Sequence, residues 1–107
     1  MITLAIRYTL DANKLADFAA YAKDLQPAIE RCGGTLQGYY LPTKLAGPTN
    51  IGLALIDFPS LAAYEQYRAL FGVEPDFIEA DRIRDDSGCV LRYERTFMRP
   101  ILPGHPA

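Results

Sequence analysis

Apolar and polar residues alternate along the start of the chain. One set of positions holds Ile2, Leu4, Ile6, Tyr8 and Leu10, and the set between them holds Thr3, Ala5, Arg7 and Thr9. Successive side chains of a strand point to opposite faces. The pattern therefore predicts a first strand over residues 2–10 with two different faces.

A helical period follows this strand. Apolar residues recur at spacings of three and four at Leu15, Phe18, Ala22, Leu25 and Ile29. Asp11 or Asn13 is predicted to cap this helix. Pro27 predicts a kink and not a break, because the apolar stripe continues in phase beyond it.

The stretch RCGGTLQGYYLP, residues 31–42, contains three glycines. Gly33 and Gly34 follow the last periodic residue of the helix, where a residue with positive φ commonly ends the last turn. A dinucleotide-binding loop needs its glycines between a strand and the start of a helix, which is the reverse order. This stretch is therefore interpreted as a helix end followed by a strand over residues 36–41.

The second half repeats the pattern of strand and helix. Residues 51–58 are apolar on both faces until Asp57, which predicts a central strand. Ser60 is predicted to cap a helix that stops at Gly72, and a second helical piece is predicted over residues 75–84, with a turn at 85–88. A last strand over residues 89–99 is predicted to carry Cys89, Leu91, Tyr93 and Phe97 on one face and Val90, Arg92, Glu94, Thr96 and Met98 on the other.

The order of elements predicts an α+β fold of the ferredoxin-like kind, βαββαβ. Right-handed crossovers bring the first and third strands side by side at the centre of a four-stranded antiparallel sheet, with the helices on one face. Residues 1–101 are predicted to form this single domain. Residues 102–107 are predicted to form an irregular tail, since prolines are frequent there.

The face of the sheet away from the helices, here called the open face, is predicted to be partly apolar and partly charged. Its predicted members are Ala5, Arg7, Thr9, Gln37, Tyr39, Leu41, Ile51, Leu53, Leu55, Asp57, Val90, Arg92, Glu94 and Met98. So much apolar surface favours burial against a second copy. We therefore expect a homodimer, or a larger assembly of copies, in which two sheets face each other as a dimeric α/β barrel.

Composition and charge argue against several classes of function. The net charge of −2 gives no reason to expect nucleic-acid binding, and no apolar run is long enough to cross a bilayer, so no membrane partner and a cytoplasmic location are expected. Cys32 and Cys89 lack metal-type or redox-type spacing and are expected as free thiols. His105 is the one histidine, and with it alone neither a metal site nor a cofactor is expected.

The residues with candidate chemistry are charged and aromatic side chains of the predicted open face. The predicted ligand-binding set is Arg7, Tyr39, Asp57, Arg92 and Glu94. The arginines would hold an anionic or carbonyl group, a carboxylate would act as base, and Tyr39 or Tyr8 would offer a hydroxyl. The alternative is that Arg7 and Glu94 form a cross-strand pair that serves packing alone. No residue is assigned as catalytic, and Tyr21, Tyr64 and Tyr67 are assigned to packing.

Three stretches, GGTLQGYYLP, LALIDFPSLAAYEQYRA and VLRYERTFMRPI, resemble the NIPSNAP family, and the resemblance extends over about residues 2–101. It implies the dimeric α/β barrel fold and no agreed catalytic motif. Three functions stay open: a homodimer that binds a small organic molecule, a monooxygenase- or isomerase-like enzyme without cofactor, and a protein-interaction module suggested by the acidic residues of segment 74–86.

Overall fold

The computed structural model describes residues 1–101. Its elements are β1 (Ile2–Leu10), α1 (Leu15–Arg31), β2 (Thr35–Tyr40), β3 (Ile51–Phe58), α2 (Leu61–Ala69), α3 (Pro75–Ser87) and β4 (Val90–Met98). The sheet order is β2-β3-β1-β4, and every neighbouring pair is antiparallel. The predicted ferredoxin-like α+β fold, with the first and third strands at its centre, is confirmed. The predictions for the tail and for His105 lie outside the described residues.

The hydrophobic core lies between the helices and one face of the sheet. Leu4, Leu10 and Ile56 from the central strands are almost fully buried there, together with Phe18 and Ile29 from α1. The helices therefore cover a single face, as predicted. No helix in the described part of the chain is both long and apolar enough to span a bilayer.

The first helix ends where the glycine pair predicts. Gly33 has φ +107°, and a Cβ at Gly34 would lie 2.9 Å from side-chain atoms of both Ile29 and Ile56. The helix also continues through Pro27 without a break. The predicted N-cap is wrong: Lys14 occupies that position with no side-chain cap, because the Asp11 carboxylate accepts the N–H of Asn13 at 2.9 Å within the preceding turn.

The second helical region differs from the prediction at its ends. Ser60 caps α2 as predicted, with its Oγ accepting the N–H of Ala63 at 3.1 Å. The helix ends at Ala69, before Gly72, and α3 continues to Ser87 where a turn was expected. The additional turn of α3 carries an ion pair between Arg82 and Asp86 at 2.8 Å and ends at Gly88, which has φ +68°.

Two β-bulges change which residues face the helices. One lies in β2 between Leu36 and Gly38, and beyond it Tyr39 pairs with Ala54 on the helix-covered side. The other lies where β1 and β4 pair, and it sets Val90 opposite Leu10 on that same side. The predicted placement of Tyr39 and Val90 on the open face is therefore wrong, because each bulge shifts the alternation by one residue. Leu41 lies beyond the end of β2, and Leu91, predicted inward, is exposed.

Candidate functional site

A cavity of about 300 Å³ lies between the helices and the sheet. Five tyrosines contribute to its lining. Tyr93 of β4 is exposed, and the other four lie deeper: Tyr8 from β1, Tyr21 from α1, Tyr39 from β2 and Tyr67 from α2. Because these four come from four different elements, their side chains converge only in the folded chain. The volume is at the lower end of the range usual for small-molecule sites.

Tyr8 and Tyr39 meet above the central strand β3. Their ring centroids are 6.3 Å apart, and each of the two hydroxyl groups affects the pKa of the other. Beneath them β3 has Gly52 paired with Tyr8 and Ala54 paired with Tyr39. These two small residues leave room for the two rings on the helix-covered side of the sheet.

Burial makes the tyrosine hydroxyl groups weak acids. It is the main cause that raises the pKa of each of the four tyrosines well above its ordinary value. At neutral pH they are therefore uncharged hydroxyl groups that donate and accept hydrogen bonds. They can hold a polar atom of a bound molecule, and they are not tyrosinate bases.

Part of the lining is apolar. It consists of Leu4, Ile6, Leu25, Ile56, Phe71 and Phe77. The rings of Phe71 and Phe77 lie 5.2 Å apart, and each contacts the ring of Tyr67. Such walls suit an aromatic or aliphatic molecule.

Charged side chains also line the cavity, namely Arg68, Arg84, Arg95 and Asp81. The guanidinium carbon of Arg84 lies 5.9 Å from the centroid of the Tyr21 ring, and Arg84 forms ion pairs with Asp81 at 3.4 Å and with Asp85 at 3.1 Å. Burial raises the pKa of the Asp81 carboxyl group, and the nearby guanidinium groups of Arg84, Arg68 and Arg95 oppose that shift. All three arginines are thus close enough to act electrostatically on one carboxylate.

Four of the five residues predicted to bind a ligand lie on the open face, outside this cavity. Arg7 pairs directly with Glu94 across β1 and β4, and Arg92 lies 3.8 Å from Glu94. Asp57 does not join them, because it pairs with Thr3 at the other end of β1. Its carboxylate accepts hydrogen bonds from Thr3 Oγ1 at 2.5 Å and from Gln37 Nε2 at 2.8 Å.

Tyr39 is the one member of the predicted set that lines the cavity, and it does so from the side opposite to the one predicted. The ligand-binding role of the set stays a prediction. The positions of Arg7 and Glu94 on the open face are equally consistent with the alternative, a cross-strand pair that serves packing alone.

Sequence reasoning missed most of the cavity lining. Tyr21 and Tyr67 were assigned to packing, although a buried tyrosine needs a partner for its hydroxyl group. Arg95 could have been found from the strand pattern, because alternation places it on the same side as Tyr93 and Phe97. Arg84 lies within the acidic segment 74–86. The direction of its side chain could not be predicted, because it depends on where α3 ends.

The acidic segment 74–86 is paired with three arginines that offset part of its negative charge. Each of its six carboxylates is within ion-pairing distance of Arg31, Arg82 or Arg84. Arg31 joins α1 to Glu74 and Asp76, while the other pairs lie along α3. The carboxylates of this segment are therefore all engaged in ion pairs, although they outnumber their arginine partners. Among residues 1–101 no group of three or more His, Cys, Asp or Glu side chains is arranged to hold a metal ion.

Comparisons with known proteins relate this chain to a family. The sequence model of the NIPSNAP family matches residues 4–102. A NIPSNAP family protein with unknown function from Agrobacterium tumefaciens has a crystal structure similar to this chain, with a TM-score of 0.78, 22% identity and coverage of 94% of this chain and 87% of that chain. An uncharacterized NIPSNAP-like domain protein from Burkholderia xenovorans gives a TM-score of 0.78, 24% identity and coverage of 98% and 89%.

A more distant similarity is to a Nitrosomonas europaea protein whose name places it with the antibiotic biosynthesis monooxygenases. The TM-score is 0.71 at 6% identity, over 95% of this chain and 100% of that chain. At such identities these likenesses show a shared fold. The comparison with curated proteins gives no match.

Proposed function

The chain belongs to the NIPSNAP family, and from this premise we propose that it binds a small organic molecule in the tyrosine-lined cavity between the helices and the sheet. The observation that carries the proposal is the convergence of four uncharged tyrosine hydroxyl groups on one cavity whose remaining lining is mostly apolar, apart from the charged side chains of Arg68, Asp81, Arg84 and Arg95. Apolar walls with a few convergent polar groups are the arrangement usual at small-molecule sites, where the polar groups orient the bound molecule.

The proposal includes a homodimer formed through the open face. Ile51, Leu53 and Leu55 of β3 lie there half-buried in the single chain, and Tyr40 and Met98 are exposed. Covering these side chains with a second sheet would remove apolar surface from water. The cavity lies on the other side of the sheet, so the dimer would support the site without closing it.

Gly72 provides a direct test of binding in the cavity. It lines the cavity, and a Cβ added there meets no atom within 4 Å. Gly72 is exposed, so Gly72→Phe should add a ring at the rim of the cavity without a backbone clash and obstruct access to it. The neighbouring Val73 is exposed and is not part of the lining, so Val73→Phe is the matched control.

The measurement is a thermal-shift screen of a metabolite library, in which a ligand of the native state raises the unfolding temperature. We expect compounds that stabilise the wild type and Val73→Phe and fail to stabilise Gly72→Phe. Compounds that stabilise all three proteins equally would place binding outside the cavity. A complete absence of stabilising compounds would count against the proposal.

A second candidate is an enzyme that transforms the bound molecule without a cofactor, as a monooxygenase or an isomerase. The similarity to the Nitrosomonas europaea fold favours it, together with Asp81, a carboxylate that could accept a proton at the cavity. Turnover of a cavity ligand that is lost in Asp81→Asn and retained in Asp86→Asn would support catalysis. Binding without any turnover in air would leave the chain as a binding protein.

A further inference from the structure

The arginines at the cavity differ in how they are already paired. Arg84 has two carboxylate partners, Asp81 and Asp85. Arg68 and Arg95 have no carboxylate within ion-pairing distance among residues 1–101. Two guanidinium groups at the cavity are therefore available to an anion from outside the chain.

Aromatic rings hold these two guanidinium groups in place. The guanidinium carbon of Arg68 lies 4.5 Å from the centroid of the Phe71 ring, and that of Arg95 lies 4.8 Å from the centroid of the Tyr93 ring. Stacking on a ring fixes the plane of a guanidinium group while its N–H groups stay free to donate. Less conformational entropy is then lost when an anion binds.

The charge balance of the lining also favours an anion. Three guanidinium groups and the single carboxylate of Asp81 leave an excess of two positive charges among the described lining residues. Arg68 comes from α2 and Arg95 from β4, which places them on different layers of the fold. Both nevertheless line the same cavity, and both act electrostatically on Asp81, which lines it too.

We infer that the molecule bound in the cavity is an organic acid, with its apolar body among the tyrosines and its carboxylate held by Arg68 and Arg95. The inference rests on the proposed function, since it names the ligand class of the same cavity. A guanidinium group presents parallel N–H donors that match a carboxylate. The apolar walls and uncharged hydroxyl groups then accept an uncharged, planar body.

The test compares two probes of the same shape, cinnamate and cinnamamide, by isothermal titration calorimetry. We expect cinnamate to bind wild type about tenfold or more tightly than cinnamamide, because hydrogen bonds to charged groups are the stronger ones. Arg68→Gln and Arg95→Gln should each weaken cinnamate binding and leave cinnamamide binding unchanged. Arg99→Gln, an exposed arginine outside the cavity lining, is the control and should change neither.

The outcomes separate the two proposals. If both probes bind equally well and Gly72→Phe abolishes both, the cavity binds ligands and the organic-acid inference is overturned. If Arg99→Gln weakens cinnamate as much as the cavity variants do, the preference reflects overall charge and the inference is also overturned. If neither probe binds, the inference is overturned, while the library screen with Gly72→Phe decides the proposed function separately.

Discussion

The ring of Tyr39 lies 6.3 Å from the ring of Tyr8, although the central strand β3 runs between their own strands. The contact depends on Gly52 and Ala54, which pair with these two tyrosines and raise no bulky side chain between them. It also depends on the bulge in β2, which turns Tyr39 toward the helices. The contact between Tyr8 and Tyr39 therefore depends on the sheet register, and it brings two of the tyrosines that line the cavity together.

A residue larger than glycine at position 52 should destabilise the fold. A Cβ there would lie 3.1 Å from Leu10 Cδ1 and 3.3 Å from both Phe18 Cε2 and the backbone oxygen of Tyr40. We expect Gly52→Ala to lower the free energy of unfolding by about 1 to 3 kcal/mol, the usual cost of overpacking. Urea denaturation measures this, with Gly72→Ala as control, which should leave stability unchanged or raise it by up to about 1 kcal/mol. Equal stability of the two variants would mean that β3 does not need a glycine at this position.

The buried tyrosines should make the fold sensitive to alkaline pH. Their pKa values are raised in the folded state, so above the ordinary tyrosine pKa of about 10 the unfolded chain releases protons that the folded chain retains. Stability from these groups is therefore present below that pH and is lost as the pH rises further. Near-ultraviolet titration should show less tyrosinate in the native protein than in the unfolded protein at the same pH. Tyr21→Phe with Tyr39→Phe should reduce this difference, and an unchanged difference would contradict the burial of these two hydroxyl groups.

Asp81 and Glu79 should give opposite pH dependences of stability. Burial raises the pKa of Asp81 in the folded state, so protonation favours the fold, and the contribution of Asp81 to stability increases as the pH falls toward its unfolded value of about 3.9. The hydrogen bond from Arg82 lowers the pKa of Glu79, so its contribution is present above the unfolded value and is lost as the pH falls through the lowered one. Denaturation of Asp81→Asn and Glu79→Gln across acidic pH measures both. Changes of the same sign in the two variants would contradict this assignment.

The open face should carry the contact between two copies of the chain. Leu55 lies near its centre, on β3, and Ile78 is an apolar residue exposed on α3. We expect Leu55→Lys to dissociate a homodimer, because the substitution would place a charge inside the apolar contact between the two sheets. Ile78→Lys should leave the dimer intact. Sedimentation velocity measures the masses, and a monomeric wild type at micromolar concentration would contradict the dimer proposal.

Much of the fold can be predicted from the sequence because its signals are local. The alternation along β1, the glycine pair after α1 and the cap at Ser60 each depend on a few adjacent residues, and each is confirmed. The register of β2 cannot be predicted from a few adjacent residues. Its bulge shifts the alternation of side chains by one residue and so moves Tyr39 to the other face of the sheet. Gly38 gave the one available signal, since a glycine within a strand often marks a bulge. The site was missed for the same reason: Tyr8, Tyr39 and Arg95 converge only once register and helix ends are known.

A crystal structure of the protein with cinnamate tests the central claim most directly. The account expects the ring of cinnamate among Tyr8, Tyr39 and Tyr67, and its carboxylate within hydrogen-bonding distance of Arg68 or Arg95. Cinnamate bound on the open face beside Arg7 and Arg92, with the cavity between helices and sheet unchanged, would contradict the account.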